Sequence, residues 1–190
     1  MAACIACGFF LAIPSLPNQR TISASNCRGY RMSFKPTLQF ALENPWHFIA
    51  LGFGSGLSRW APGTAGTLAA MPIAIGITYL PLWLSGLVIL ATLVIGTHAC
   101  TIASSAMGEH DNGSIVIDEF AGVFITVWLL PAEPLWWIAG FLVFRLIDIA
   151  KPWPINWLDK QVKGGWGIML DDVVAGAMSA VALLLAASWP

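Results

Sequence analysis

Charged side chains are scarce in this chain of 190 residues, of which only 10% are Asp, Glu, Lys or Arg and 57% are hydrophobic. Soluble domains carry about 25% charged residues, so the composition excludes an ordinary soluble domain. It also excludes disorder over most of the chain, because disordered segments are polar and charged. Nine basic against ten acidic residues leave no positive excess for nucleic-acid phosphates, so no nucleic-acid partner is expected. Together with a mean hydropathy of +0.75, these numbers predict a membrane-embedded protein.

Cysteine and histidine are also few. The chain has four cysteines, and its Cys-x-x-Cys pair, Cys4 and Cys7, has no second pair, which argues against a disulfide framework and a thiolate metal site. The three histidines, His47, His98 and His110, have no suitably spaced cysteine partners, so zinc is not expected. Any metal site in this chain should therefore use oxygen ligands.

The apolar residues fall in runs long enough for helices. No charged residue occurs from Trp60 to Gly108, which leaves room for two spans of about 20 residues on either side of Pro81. Another apolar run is interrupted by the two prolines of 131–134. Because backbone in lipid must satisfy its own hydrogen bonds, we predict an all-α, compact multi-helix bundle embedded in the membrane as a multi-pass protein. The predicted helices cover 64–80, 82–101, the two halves of 120–144, and 173–189.

Residues 1–43 differ from the rest of the chain. The apolar stretch from Ala2 to Ile13 is too short to span a membrane, and basic residues then follow among Ser, Asn and Pro. We predict a flexible N-terminal extension over 1–43, ahead of a helical membrane domain over 44–190. Met32 precedes the first well-organised segment and is an alternative start of translation.

Most of the remaining charges belong to three segments, 43–59, 109–119 and 145–172. If the turns at Pro81 and 131–134 lie on one side of the membrane, all three segments emerge on the other side. The Lys and Arg residues concentrated there assign that side to the cytoplasm. We therefore expect a functional site at the cytoplasmic surface, with ordinary solvated loops as the alternative.

The first charged segment leads into a glycine-rich stretch. Gly54 and Gly56, with further glycines before and after them, free the backbone to turn its N–H groups towards an anion. Thr64 adds a hydroxyl donor, and Arg59 adds a charge suited to phosphate oxygens. The stretch is either an anion cradle or a seam of small residues at which helices pack.

Two acidic pairs precede apolar helices. Asp118 and Glu119 stand at the entrance of one helix, and Asp171 and Asp172 open the last one. Carboxylates suit Mg²⁺ or Mn²⁺, so the pairs suggest a cation site. Their alternative role is to compensate the positive end of the helix dipole.

Arg145, Asp148 and Lys151 follow one another at three-residue spacing, so neighbouring members share a helix face. They could hold a phosphate or form a plain ladder of ion pairs. His110 is either a general acid or base or a solvated loop histidine.

Carboxylates for a hard cation, basic side chains and a glycine-rich stretch together point to phosphate chemistry. The chain has no Cys-x5-Arg after Cys100 and no Asp-x-Asp, and its three histidines are too few for a histidine-nucleophile lipid phosphatase. Water activated by a metal ion is the favoured nucleophile, and a carboxylate is the alternative.

Several blocks, in order over about residues 44–180, resemble the phosphatidylglycerophosphatase A family. The blocks are Asn44-Pro-Trp-His47, Gly52-Phe-Gly-Ser-Gly-Leu-Ser58, Ala61-Pro-Gly-Thr64, Ile115-Val-Ile-Asp-Glu119, Phe144-Arg-Leu-Ile-Asp148, Lys151-Pro-Trp-Pro-Ile155 and Gly167-Ile-Met-Leu-Asp-Asp172. The resemblance implies an Mg²⁺-dependent hydrolase of the bacterial inner membrane that converts phosphatidylglycerophosphate to phosphatidylglycerol. It also implies a bundle of the six-helix type found in soluble relatives.

The resemblance and the residue patterns together give a set of expected roles. The expected catalytic residues are Asp118, Glu119, Asp148 and His110; the expected substrate-binding residues are Arg145, Lys151, Gly54, Gly56 and Thr64; the expected metal ligands are Asp118, Asp171 and Asp172. A phosphatase of another lipid phosphate, such as phosphatidic acid, is the main alternative function. A small membrane transporter and a non-catalytic lipid-binding protein are others.

Overall fold

The computed structural model describes residues 34–109 and 112–188, and it is built from helices in that part of the chain. The helices, which we number in chain order, are α1 (Leu38–Glu43), α2 (Pro45–Ala50), α3 (Pro62–Thr78), α4 (Leu82–Met107), α5 (Ile117–Trp128), α6 (Pro134–Ala150), α7 (Ile155–Gln161) and α8 (Gly165–Ala187). A 3₁₀ helix, Gly52–Leu57, connects α2 to α3. The predicted all-α bundle is thereby confirmed, with three short helices among the eight.

Proline sets the predicted breaks between helices. Pro62 and Pro134 occupy the first turns of α3 and α6, where the missing N–H costs no hydrogen bond. Pro81 caps α4, so the turn between α3 and α4 lies where the sequence predicts it. At its other end α4 runs to Met107, six residues beyond the predicted end, and Gly108 closes it with a left-handed φ of 69°.

The predicted start of the last helix is wrong. The apolar run begins at 173, but α8 begins at Gly165, so Asp171 and Asp172 lie inside the helix rather than at its mouth. The reason is a close helix contact. A Cβ atom at Gly165 would lie 2.9 Å from the Thr101 backbone nitrogen and would clash with the Thr97 carbonyl, so only glycine lets α8 start against α4.

The buried helix α5 holds the bundle together. It packs between α3 and α8, and most of its residues are buried. At its crossing with α8, a Cβ atom at Gly122 would lie 2.7 Å from the Asp172 carbonyl oxygen, and one at Gly176 would clash with the Gly122 carbonyl. The Thr126 hydroxyl lies within hydrogen-bond distance of both the Gly122 and Gly176 carbonyls, at 2.9 and 3.2 Å. Small residues therefore bring the two helix backbones into direct contact.

Large apolar side chains remain exposed on the outside of the bundle. By length and composition, α4 with 26 residues and α8 with 23 could each cross a membrane. Exposed residues on these two helices include Leu87, Leu90, Val94, Val181 and Leu185. Such surfaces are costly in water and suited to lipid.

Part of the predicted N-terminal extension, residues 34–43, lies within the described residues. Residues 34–43 belong to the helical body because they are tied to it. The Phe34 N–H donates to Glu109 Oε1 at 3.1 Å, and the Asn112 side chain donates to the Phe34 carbonyl at 2.7 Å. The Phe40 ring stacks on His47 with centroids 4.2 Å apart. Residues 1–33, with the Cys-x-x-Cys pair and the alternative start, lie outside the described residues.

Substituting Gly176 with alanine tests the contact between α5 and α8. The added methyl group would meet the Gly122 carbonyl, and overpacking of this kind costs about 1–3 kcal/mol. The melting temperature of the purified protein in detergent should therefore fall. Gly86→Ala in α4 is the matched control, since nothing lies within 4 Å of a Cβ atom there. Equal melting temperatures for the two variants would contradict the packing described.

Candidate active site

A polar pocket of about 130 Å³ lies at the end of the bundle where α5 and α8 begin and α6 ends. The loop before α5 contributes Gly113 and Ile115 to its wall. Its charged lining residues are Asp118, Glu119, Asp148, Lys151, Asp171 and Asp172. The structure thus brings both predicted acidic pairs, and two members of the predicted ladder, to one place.

Helix positions explain this convergence. Asp118 and Glu119 lie in the first turn of α5, whereas Asp171 and Asp172 lie about two turns into α8, opposite them. Because α5 and α8 contact each other through glycine one turn further along, adjacent carboxylates on the two helices face the same pocket. Glu119, Asp171 and Asp172 are buried.

Arg145 joins two of the carboxylates. Its Nη1 lies 2.6 Å from Asp148 Oδ2 and 3.1 Å from Glu119 Oε1. The Thr67 hydroxyl, from α3, donates to the other oxygen of Glu119. The backbone of α3 also approaches closely, since a Cβ atom at Gly63 would lie 3.0 Å from Arg145 Nη2 and would clash with Glu119 Oε1.

Lys151 stands at the opposite wall of the pocket. It ends α6 in a left-handed conformation, with φ 40°, immediately before Pro152. This backbone directs Nζ to Asp171 Oδ2 at 2.6 Å, with Asp159 Oδ1 at 3.6 Å. Lys151 keeps 30% of its side chain exposed, against 13% for Arg145, so it is the more accessible of the two basic groups.

Burial raises the pKa of the Glu119 carboxyl from 4.5 to about 7. The Arg145 guanidinium and the Thr67 hydroxyl act in the opposite direction, and the charge of Asp148 acts in the same direction as burial. Glu119 can therefore exchange a proton near neutral pH, which is the property required of a general acid or base.

The donor set of the pocket fits a hard cation. Five carboxylates face two basic side chains, Lys151 and Arg145, which leaves an excess of negative charge. Asp172 Oδ2 is buried and has no hydrogen-bond partner within the part of the chain that the structure describes. In the described ranges no three carboxylate, imidazole or thiolate groups are grouped closely enough to hold a metal ion as they stand. Cation binding would therefore require these side chains to move together.

Other predicted site residues lie elsewhere. Gly54 has a φ of 97°, and a Cβ atom there would contact only the Phe48 ring. Gly56 packs against the Ser114 carbonyl, and the half-buried Thr64 does not line the pocket. His110 lies outside the described residues.

Sequence reasoning missed two contacts on α3. Gly63 and Thr67 both meet Glu119, although the sequence pattern indicates an anion cradle or a helix-packing seam for the whole glycine-rich stretch. Their four-residue spacing on one face of a helix is the signal that could have selected them.

Within residues 34–109 and 112–188, an apolar helical bundle carries an acidic pocket flanked by lysine and arginine, a combination suited to phosphate esters. Residues 48–187 match the family described as Phosphatidylglycerophosphatase A, and the chain belongs to that family. It is therefore a phosphatase, and the resemblance seen in the sequence blocks is confirmed.

Curated relatives agree with this assignment. A phosphatidylglycerophosphatase A of Escherichia coli is 49% identical over 151 residues, which cover 78% of this chain and 88% of the relative. One of Haemophilus influenzae is 40% identical, over 81% and 96% of the two chains. A Bacteroides thetaiotaomicron relative, provisionally named a phosphatidylinositol-3-phosphatase, is 37% identical over 84% and 97%. No solved structure matches the chain.

Gly63→Ala is expected to reduce phosphatase activity at least tenfold. The methyl group would displace Glu119 from Arg145, because a Cβ atom at this position clashes with Glu119 Oε1. Phosphate release from a lipid phosphate in micelles measures the effect. Gly76→Ala, in the same helix and with nothing within 4 Å of the added atom, is the matched control and should retain activity. Full activity of Gly63→Ala would show that the α3 contact is dispensable.

Proposed function

We propose that this protein is an Mg²⁺-dependent phosphatidylglycerophosphatase of the bacterial inner membrane. It hydrolyses the terminal phosphate of phosphatidylglycerophosphate and yields phosphatidylglycerol and inorganic phosphate. The observation that carries the proposal is the convergence of both acidic pairs, Asp148 and Lys151 in one pocket of a family member. The names of the two most similar relatives reported above support the choice of substrate.

The metal is assigned to the acidic pairs. Asp118, Asp171 and Asp172 would hold Mg²⁺, and the unpartnered Asp172 Oδ2 supports their role as oxygen ligands. Bound there, the cation would neutralise phosphate oxygens and lower the pKa of a water molecule. The negative excess of the pocket favours a cation in the same place.

The remaining charged residues of the site would either bind the phosphate or transfer a proton. Lys151 is accessible and would bind the departing phosphate. Arg145 lies deeper and holds Glu119 and Asp148 in place, and it would add charge to the phosphate site. Glu119, with its pKa near 7, is the residue best suited to take a proton from the attacking water. Direct attack by a carboxylate is the alternative mechanism.

The aromatic residues support a membrane location. Exposed tryptophans cluster at the end of the bundle that carries the pocket, and an exposed Tyr and Trp lie at the opposite end, where α3 turns into α4. Trp and Tyr gather at both interfaces of membrane proteins, so the two groups mark the two surfaces of a bilayer. The residues are Trp60, Trp153, Trp157 and Trp166 at the first end and Tyr79 and Trp83 at the second.

Substrate would approach sideways from the bilayer. Its acyl chains would remain in lipid beside the exposed apolar helices, while its headgroup reaches the pocket at the interface. The basic residues near this end favour the cytoplasmic side. A multi-pass arrangement with α4 and α8 as spans fits both features.

Phosphate release from phosphatidylglycerophosphate in mixed micelles tests the proposal. We expect activity with Mg²⁺, loss of activity with EDTA, and a decrease of at least a hundredfold for Asp171→Asn, because this change removes a metal ligand and the partner of Lys151. Glu133→Gln, an exposed carboxylate at the far end of α6, is the control and should leave turnover unchanged.

The same assay distinguishes the other candidates. Turnover of phosphatidic acid or phosphatidylinositol 3-phosphate in place of phosphatidylglycerophosphate would support the hydrolysis of a lipid phosphate but change the assigned substrate. Phosphatidylinositol 3-phosphate is included because of the name of the Bacteroides thetaiotaomicron relative. Activity that persists in EDTA would refute the metal assignment. No turnover of any lipid phosphate by folded protein would leave a binding or transport role.

A further inference from the structure

A second cavity lies next to the acidic pocket and has the opposite charge. Its volume is about 440 Å³, and the described residues of its wall include Lys35 and Arg59 and no carboxylate. The two basic residues come from segments far apart in sequence, one before α1 and one before α3. Neither forms an ion pair with any residue in 34–109 or 112–188.

The cavity is a built feature of the fold. The segment that carries Lys35 is fixed by hydrogen bonds at Phe34, whose N–H donates to Glu109 and whose carbonyl accepts from Asn112. The Asn112 side chain also donates to Glu109, at 2.6 Å. Both oxygens of Glu109, an acidic group nearby, are thus held by neutral donors of this segment rather than by Lys35 or Arg59.

The two cavities adjoin at two places in the chain. Gly113 lines both of them, and nothing lies within 4 Å of a Cβ atom built on it. Pro62 lines the basic cavity, while the next residue, Gly63, abuts Glu119, which lines the acidic pocket, and its ion-pair partner Arg145. A ligand that occupies the acidic pocket can therefore extend into the basic cavity.

The proposed substrate has two phosphates that differ in fate. The terminal monoester is removed, whereas the phosphodiester, one glycerol away, remains in the product. We propose that Lys35 and Arg59 bind this retained phosphodiester and select a headgroup with two phosphates over a lipid with one. Ser58 and Ser114 add hydroxyl groups to the same wall. The inference rests on the proposed function. It means that the basic cavity determines which lipid phosphate the enzyme prefers.

Arg59 is well placed for a headgroup at the membrane surface. The neighbouring Trp60 is exposed and belongs to the aromatic group at this end of the bundle. An arginine beside a tryptophan at the membrane interface lies at the depth of the lipid headgroups, where it can bind their phosphates. Phosphatidic acid has no phosphodiester, so it would leave the basic cavity empty.

The test compares substrate preference in Lys35→Met and Arg59→Met with wild type. The preference is the ratio of kcat/KM for phosphatidylglycerophosphate to kcat/KM for phosphatidic acid, and we expect each substitution to lower it at least tenfold, mainly through KM. Lys163→Met is the matched control, because Lys163 is an exposed basic residue at the same end that lines neither cavity. Arg59→Lys should restore part of the preference. A ratio that stays constant while both KM values rise would overturn the inference, since it would indicate general attraction of anionic lipid.

A binding measurement separates this inference from the proposed function. Short-chain phosphatidylglycerol, which carries the phosphodiester alone, is titrated into the detergent-solubilised protein in EDTA. We expect at least fivefold weaker binding for the Lys35 and Arg59 variants and no change for Lys163→Met. If wild type releases no phosphate from phosphatidylglycerophosphate but the binding losses appear, the proposed function fails and the phosphodiester site stands. If turnover is normal and neither binding nor preference changes, the site fails and the function stands.

Discussion

The direct contact between the backbones of α5 and α8 is the constraint on which the site depends. Gly122 and Gly176 lie at the crossing, and a side chain at either position would force the helices apart. The two acidic pairs lie about one turn before these glycines, on helices that start at the same end of the bundle. Because the two backbones lie close together at the glycines, the carboxylates one turn away also lie close together.

That arrangement concentrates negative charge that the bundle must offset. Arg145 offsets part of it at Glu119 and Asp148, and Lys151 offsets part at Asp171. Removing a partner from a buried carboxylate is costly, so these basic residues contribute to folding in addition to the binding role proposed for them. The helices α3 and α6 matter for the same reason, because they carry Thr67 and Arg145 to Glu119.

Much of the fold could be predicted from sequence, because lipid-compatible helices need long apolar runs and proline interrupts them visibly. The breaks at Pro81 and 131–134 are found in the structure, and so are the helices on either side. The start of α8 was not predictable in this way. Gly165 and Gly167 are typical of a loop in sequence, but both lie in the first turn of α8, where Gly165 fits against Thr97 and Thr101 of α4.

The residues of the site also differ in whether the sequence alone could select them. The carboxylates and Lys151 could be selected by residue type, since few other chemistries use so many acids in so apolar a chain. For Gly63 the four-residue spacing to Thr67 indicates only a shared helix face, and its contact with Glu119 depends on a distance between two helices rather than on a motif. The same holds for the basic cavity, whose two charged residues are 24 positions apart in the sequence. Tertiary proximity of this kind leaves no periodic signal.

The order in which the pocket carboxylates occur along the chain has a consequence for biosynthesis. Asp118 and Glu119 precede Asp171 and Asp172, which belong to α8, the last of the described helices, and α8 packs against α5. A nascent chain that has already placed α3 to α6 holds one half of an acidic pocket. Under the roles proposed for these carboxylates, the site is complete only once α8 has docked against α5.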